Sequence, residues 1–237
     1  MPALPDASGN SFRIDGDVCL QWPPAAPRSR SPEPLPLRLG VMASGEGSNL
    51  EALVGACRDG SLAATVELLV VNEPLCGARR RAERLGVPCQ LLDHRQQPSR
   101  EALDDALVAA FRAVGADLVV MAGWMRIVTP RLIDAFPQRL LNLHPSLLPS
   151  FKGRDGIGEA LAAGVTLAGC TAHLVVPEVD AGPILVQAAV PVLPDDDRSR
   201  LHDRIRVQEH RILPLAVRLA AERLRAAGPL PQPPVQG

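Results

Sequence analysis

Leu37-Arg38-Leu39-Gly40-Val41-Met42-Ala43-Ser44-Gly45-Glu46-Gly47-Ser48-Asn49-Leu50 is the stretch on which the fold turns. Leu37 to Ala43 is a short, mostly apolar run and reads as a strand. Asn49 to Arg58 reads as a helix, with Gly60 near its end. Glycines between a strand and a helix let backbone N–H groups converge on an anion at the helix N-terminus. No Lys-Ser/Thr pair is present, so this is not a nucleoside-triphosphate loop. The only GxG is Gly45-Glu46-Gly47, and Leu50 fills the third glycine position of the dinucleotide pattern. A tight turn with an N-cap is the plain alternative for the same residues.

Working outward, strands and helices keep alternating. Thr65 to Val71 reads as a strand, Leu75 to Leu85 as a helix closed by Gly86, and Val87 to Leu92 as a short strand. Ser99 to Val114 is an amphipathic helix with Ser99 as N-cap and Gly115 after its end. Leu118 to Ala122 is a strand, Pro130 to Ala135 a short helix, and Arg139 to Leu143 another strand. This alternation predicts an α/β fold, Rossmann-like, with a mostly parallel sheet and helices on both faces. After His144 the character changes. Glu159 to Ala163 reads as helix, and Cys170–Val176 and Ile184–Val192 as late strands suited to an antiparallel pair. Asp197 to Ala227 reads as a long C-terminal helix that Pro214 should kink or interrupt.

The 237 residues suffice for one sizeable core. Of 24 prolines, eight fall in residues 1–36 and four in 229–237. The expected organisation is a proline-rich tail over 1–36, flexible unless it docks, a single domain over 37–227, and a tail over 228–237. A net charge of −1 calls for neither nucleic acid nor an anionic membrane. No apolar run is long enough to span a bilayer. Scarce aromatics argue against single-stranded nucleic acid. Cys19, Cys57, Cys76, Cys89 and Cys170 are scattered without a CxxC pair, which favours free thiols and a cytoplasmic location. No His/Cys spacing suits a metal, so no metal site is expected.

Asn142-Leu143-His144-Pro145-Ser146-Leu147 follows the apolar Leu140-Leu141. Residues two apart on a strand share a side. Asn142 and His144 therefore present an amide and an imidazole together at a strand end, where open α/β sheets bind ligands. An amide that holds an oxyanion, beside an imidazole that moves a proton, suits acyl-group chemistry. Asp180 lies between the two late strands. It reads either as a turn residue or as an acid folded back onto His144, where a carboxylate favours the charged, proton-donating imidazole. Met125 to Val128 lies just beyond a strand and reads as core or as one wall of a pocket for a flat heterocycle. Arg206 and Glu209 share a helix face, as a surface ion pair or as ligands of a sugar phosphate.

Four segments occur in the order found in glycinamide ribonucleotide formyltransferases: Ser44–Leu50, Ala122-Gly123-Trp124-Met125-Arg126-Ile127, Asn142 to Pro149, and Asp180-Ala181-Gly182-Pro183-Ile184. The chain resembles that family from about Leu37 to about Leu224. The resemblance implies transfer of a formyl group from 10-formyltetrahydrofolate to glycinamide ribonucleotide in purine synthesis. It implies that Gly47, Ser48 and Asn49 form the phosphate loop and that Glu209 binds ribose hydroxyls; Arg206 departs from the family pattern, standing where relatives carry other residue types, and adds a cation compatible with a phosphate. It implies that Arg100, Met125, Arg126, Ile127, Val128 and Asn142 hold the folate cosubstrate, His144 is the proton donor, and Asp180 is its carboxylate. Many relatives carry a histidine shortly after the Phe151-Lys152-Gly153 position, where this chain reads Arg154-Asp155-Gly156-Ile157-Gly158.

The expected partners are the nucleotide and the folate, with no nucleic acid and no membrane, and with a homodimer left open. Three rival readings fit the residues less well. A formyltetrahydrofolate deformylase carries an extra N-terminal regulatory domain that 36 proline-rich residues cannot build. A methionyl-tRNA formyltransferase needs a second, tRNA-facing domain, and the charge here is not basic. A non-catalytic sugar-phosphate-binding protein would need only the glycine loop, not Asn142, His144 and Asp180.

Overall fold

A computed structural model describes residues 20–24 and 36–226. The tails expected over most of 1–36 and over 228–237 therefore lie outside the described residues, as does Cys19. The elements in chain order are β1 (Leu20–Trp22), β2 (Leu37–Ala43), α1 (Ser48–Arg58), β3 (Ala64–Val71), α2 (Gly77–Leu85) and β4 (Cys89–Leu91). A 3-10 turn at His94–Gln96 precedes α3 (Arg100–Ala113), β5 (Leu118–Met121), α4 (Pro130–Ala135) and β6 (Leu140–His144). The chain continues through α5 (Gly156–Ala162), β7 (Leu167–Leu174), β8 (Ile184–Pro191) and α6 (Arg198–Ala226).

The eight strands form one sheet in the order β1-β8-β7-β6-β5-β2-β3-β4. β2 pairs in parallel with β3 and β5, and the parallel part extends to β4 and β6. β6–β7, β7–β8 and β8–β1 are antiparallel. Both faces are covered, which explains why β2 is a near-continuous apolar run. Leu39, Val41 and Ala43 join one core cluster, with residues of α1 and α6, and Met42 joins the other, with residues of α3 and α4. Gly40 interrupts the run because the Phe111 ring lies on it, and a Cβ there would meet that ring at 2.4 Å.

Four features depart from the sequence reading, one being that β7 runs over Leu167–Leu174 rather than Cys170–Val176, set by its pairing with β8. Leu20–Trp22, within the segment expected as a tail, adds an antiparallel edge strand to β8. α5 starts at Gly156 rather than Glu159, because the Asp155 side chain accepts from Gly158 N and caps the helix ahead of two glycines. Pro214 does not end α6, which runs unbroken from Arg198 to Ala226. Ile212, Leu213, Leu215, Ala216 and Val217 are buried on both sides of Pro214. That packing outweighs the lost backbone bond.

Candidate active site

β6 ends at His144, so Asn142 and His144 are the third and fifth residues of one strand and share a side. The strand reaches the sheet's boundary between parallel and antiparallel pairing. Its antiparallel neighbour β7 places His173 directly opposite Asn142. Beyond β7 the chain turns back towards β8, and the turn carries Asp180 in the left-handed region at φ +50°. A close return makes this turn possible. A Cβ on Gly182 would lie 1.8 Å from the Leu174 carbonyl oxygen, so only glycine fits.

The result is a polar junction built from three segments. Asn142 Nδ2 donates to Asp180 Oδ1 at 3.3 Å and lies 3.1 Å from His173 Nε2. His144 Nδ1 is 3.5 Å from Asp180 Oδ2, and His173 Nε2 is 3.5 Å from Asp180 Oδ1. Gly153 N–H donates to Asp180 Oδ2 at 2.9 Å. His144 Nε2 reaches the Phe151 carbonyl at 2.8 Å. Both nitrogens of His144 thus face acceptors, so each has a place for an N–H. His173 Nδ1 meets the Leu174 carbonyl at 2.9 Å, while its Nε2 stands between Asn142 Nδ2 and Asp180 Oδ1. Burial opposes ionisation of Asp180. The His173 ring, the Gly153 N–H and the nearby imidazoles outweigh it and hold the carboxyl below its ordinary value.

A second group sits across the cleft. Gly47 caps α1 at φ +77°, and a Cβ there would lie 2.5 Å from Ala78 Cα. The loop can therefore pack against α2 only as glycine, and it presents the unpaired N–H groups of α1's first turn. Asn49 Nδ2 donates to Glu209 Oε2 at 3.0 Å, while Asn49 Oδ1 is buried without a partner. Burial raises Glu209 above its ordinary value, against the Asn49 bond and the positive charges around it. Arg206 Nη2 is 2.9 Å from Asp203 Oδ1.

One cleft of about 610 Å³ joins these groups. Gly47, Ser48, Asn49, Arg206 and Glu209 line one part of it, and Asn142, His144 and Asp180 another. Arg100, Met125, Arg126, Ile127 and Val128 line the rest, so every residue singled out in the sequence opens onto it. Met125 is 70% exposed and Ile127 55%, an apolar surface for a ring system to cover. His173 and His202 also line the cleft and were not foreseen. His173 could have been found only from the β6–β7 register, which no local pattern encodes. Arg206 spaced four from His202 was the legible trace of the second. Among the described residues no group of three or more His, Cys, Asp and Glu side chains could hold a metal ion. No described helix is long and apolar enough to cross a membrane.

The formyl transferase family model matches residues 37–217. The phosphoribosylglycinamide formyltransferase of Mycobacterium tuberculosis strain H37Rv is 47% identical over 191 residues, covering 79% of this chain and 86% of that protein. The trifunctional purine biosynthetic protein adenosine-3 of Homo sapiens is 39% identical over 184 residues. The alignment covers 78% of this chain but only 18% of that longer protein. Glycinamide ribonucleotide transformylase 1 from Symbiobacterium toebii superposes with a TM-score of 0.79 at 43% identity, covering 84% of this chain and 94% of that one.

Proposed function

Because this chain belongs to the formyl transferase family, we propose that it moves a formyl group from 10-formyltetrahydrofolate to the amine of glycinamide ribonucleotide, a step of purine biosynthesis. The observation that carries this reading is the Asn142–His144–Asp180 junction, which opens between the glycine loop and the apolar Met125–Val128 wall. Such a junction has room for a nucleotide on one side and a flat ring on the other.

The chemistry follows from the residues. The glycinamide amine attacks the formyl carbon, and the carbonyl oxygen gains negative charge. The Asn142 amide N–H and protonated His144 stabilise that oxygen, in a cleft where water is displaced and such bonds count for more. The bond from the formyl carbon to the folate nitrogen then breaks. The proton leaving the amine passes to that nitrogen, with Asp180 holding His144 in place for the transfer. His173 orients Asn142 from the opposite strand. No metal is required by this scheme.

The phosphate is placed at the N-terminus of α1, over Gly47, Ser48 and Asn49, where unpaired N–H groups and the helix dipole favour an anion. Arg206 adds a cation. Glu209 and the unpaired Asn49 Oδ1 are acceptors for ribose hydroxyls. Arg100 and Arg126 flank the folate's end of the cleft.

One assay separates this from its rivals. Incubated with 10-formyltetrahydrofolate, the protein should release tetrahydrofolate only when glycinamide ribonucleotide is present. Release without the amine would mean a hydrolase, and no release would leave a sugar-phosphate binder.

Glu209→Gln should separate stability from binding. The folded Glu209 has a raised pKa, so its contribution to stability is intact below the ordinary value of 4.5 and lost as pH rises through the folded value. Burial disfavours the Glu209 carboxylate, and glutamine removes that cost. The variant should melt a few degrees higher, since about 1 kcal/mol corresponds to roughly 2–4 °C at this size. Its KM for the nucleotide should rise several-fold, because the amide offers the ribose hydroxyls one oxygen where the carboxyl group offers two. Calorimetry and initial rates read the two effects.

A further inference from the structure

We infer that Ser44 and Asp104 are positioning residues for the folate, because they tie down the two ends of the wall it covers. The inference rests on the formyl transfer reading and deepens it.

Met125 to Val128 has no helix or strand to hold it. Its backbone donors are instead captured by two side chains from elsewhere in the chain. At its start, Met125 N–H donates to Ser44 Oγ at 3.0 Å, and Ser44 N–H donates to the Gly123 carbonyl at 3.0 Å. At its end, Thr129 N–H donates to Asp104 Oδ2 at 2.5 Å. Asp104 is 3% exposed and is used by no step of the chemistry. It sits one helical turn after Arg100, so α3 supplies both a cation to the cleft and the tie. Ser44 stands immediately before the glycine loop, so the wall's other end is fixed to the segment that carries the phosphate site.

Between the ties the side chains sort by direction. Trp124 is buried and Val128 packs on the same core as Leu103 and Leu107, while Met125 and Ile127 stay exposed towards the cleft. A segment outside helix and strand keeps such an alternation only if its ends are fixed. Loosening either end costs ordering when the ring system binds, and that cost falls on the folate rather than on the nucleotide.

The test compares Ser44→Ala, Asp104→Ala and Asp104→Asn, the last retaining an acceptor for Thr129 N–H. Ser44→Ala is the mild variant, since only one oxygen is lost from a half-buried position. The expected result is a KM for 10-formyltetrahydrofolate raised about five- to tenfold by either alanine, as for one lost hydrogen bond. The KM for glycinamide ribonucleotide should stay within about twofold, and Asp104→Asn should recover most of the folate loss. In a Trp22→Phe background, acrylamide should quench Trp124 emission more strongly in both alanine variants, a readout that needs no turnover. Unchanged folate KM values, equal rises in both KM values, or unaltered Trp124 quenching would overturn the inference while leaving formyl transfer standing. A wild-type protein that transfers no formyl group would overturn the underlying reading and this inference with it.

Discussion

His144→Ala is expected to lower kcat by about 10²–10⁴-fold, the usual loss when a positioned acid is removed. The ring sits at the end of β6, 5% exposed, with Nδ1 towards Asp180 and Nε2 towards the Phe151 carbonyl. Alanine leaves the oxyanion to Asn142 alone and removes the proton source. The ring's polar partners, Asp180 and the Phe151 carbonyl, lie outside both the glycine loop and the Met125–Val128 wall, so both KM values should change by less than about fivefold. Loss of an interaction made mainly in the transition state shows this pattern, a fall in kcat without a matching rise in KM. Steady-state rates over both substrates give the answer, and a kcat within twofold of wild type would remove His144 from the mechanism.

Asp180→Asn is expected to cost about 10²–10³-fold in kcat, close to the loss from one preorganised electrostatic group. The substitution preserves shape. If its amide oxygen takes the Oδ2 place and keeps the Gly153 N–H, its NH₂ takes the Oδ1 place and meets the Asn142 amide, which donates there now. The carboxylate therefore cannot be replaced by an isostere without a donor meeting a donor. A stability signature accompanies the loss of rate. Asp180 has a depressed folded pKa, so its contribution is present above its ordinary value of 3.8 and lost as pH falls through the lower folded value. Wild type should thus lose stability below about pH 4 by a component that the variant lacks. Thermal melts between pH 3 and pH 7 would show the two curves converging at the acid end. Parallel curves would mean that Asp180 carries no charge in the fold.

The parallel half of the sheet was legible because strands buried on both faces leave continuous apolar runs, and each is followed by a turn residue and a helix period. Ser99 caps α3 through its own side chain, the local bond expected from the sequence, and Thr129 caps α4 in the same way without having been read from the sequence. The edge strand Leu20–Trp22 was not legible. Three residues among prolines carry no period, and only the unpaired edge of β8 gives them a partner. The start of α5 was hidden by Gly156 and Gly158, whose low helix propensity is offset by the Asp155 cap.

By itself the amino-acid order determined the strand–helix alternation, the glycine loop ahead of α1 and the pairing of Asn142 with His144 on one side of a strand. These depend on neighbours within about four residues, over which backbone sterics and side-chain period act. Tertiary structure alone decided that Asp180 reaches His144, that His173 faces Asn142 across β7, and that Ser44 and Asp104 hold the wall from two sides. Those contacts join residues from 25 to 81 positions apart. They are set by strand register and by the way helices pack on a sheet, and no local stretch of sequence carries that information.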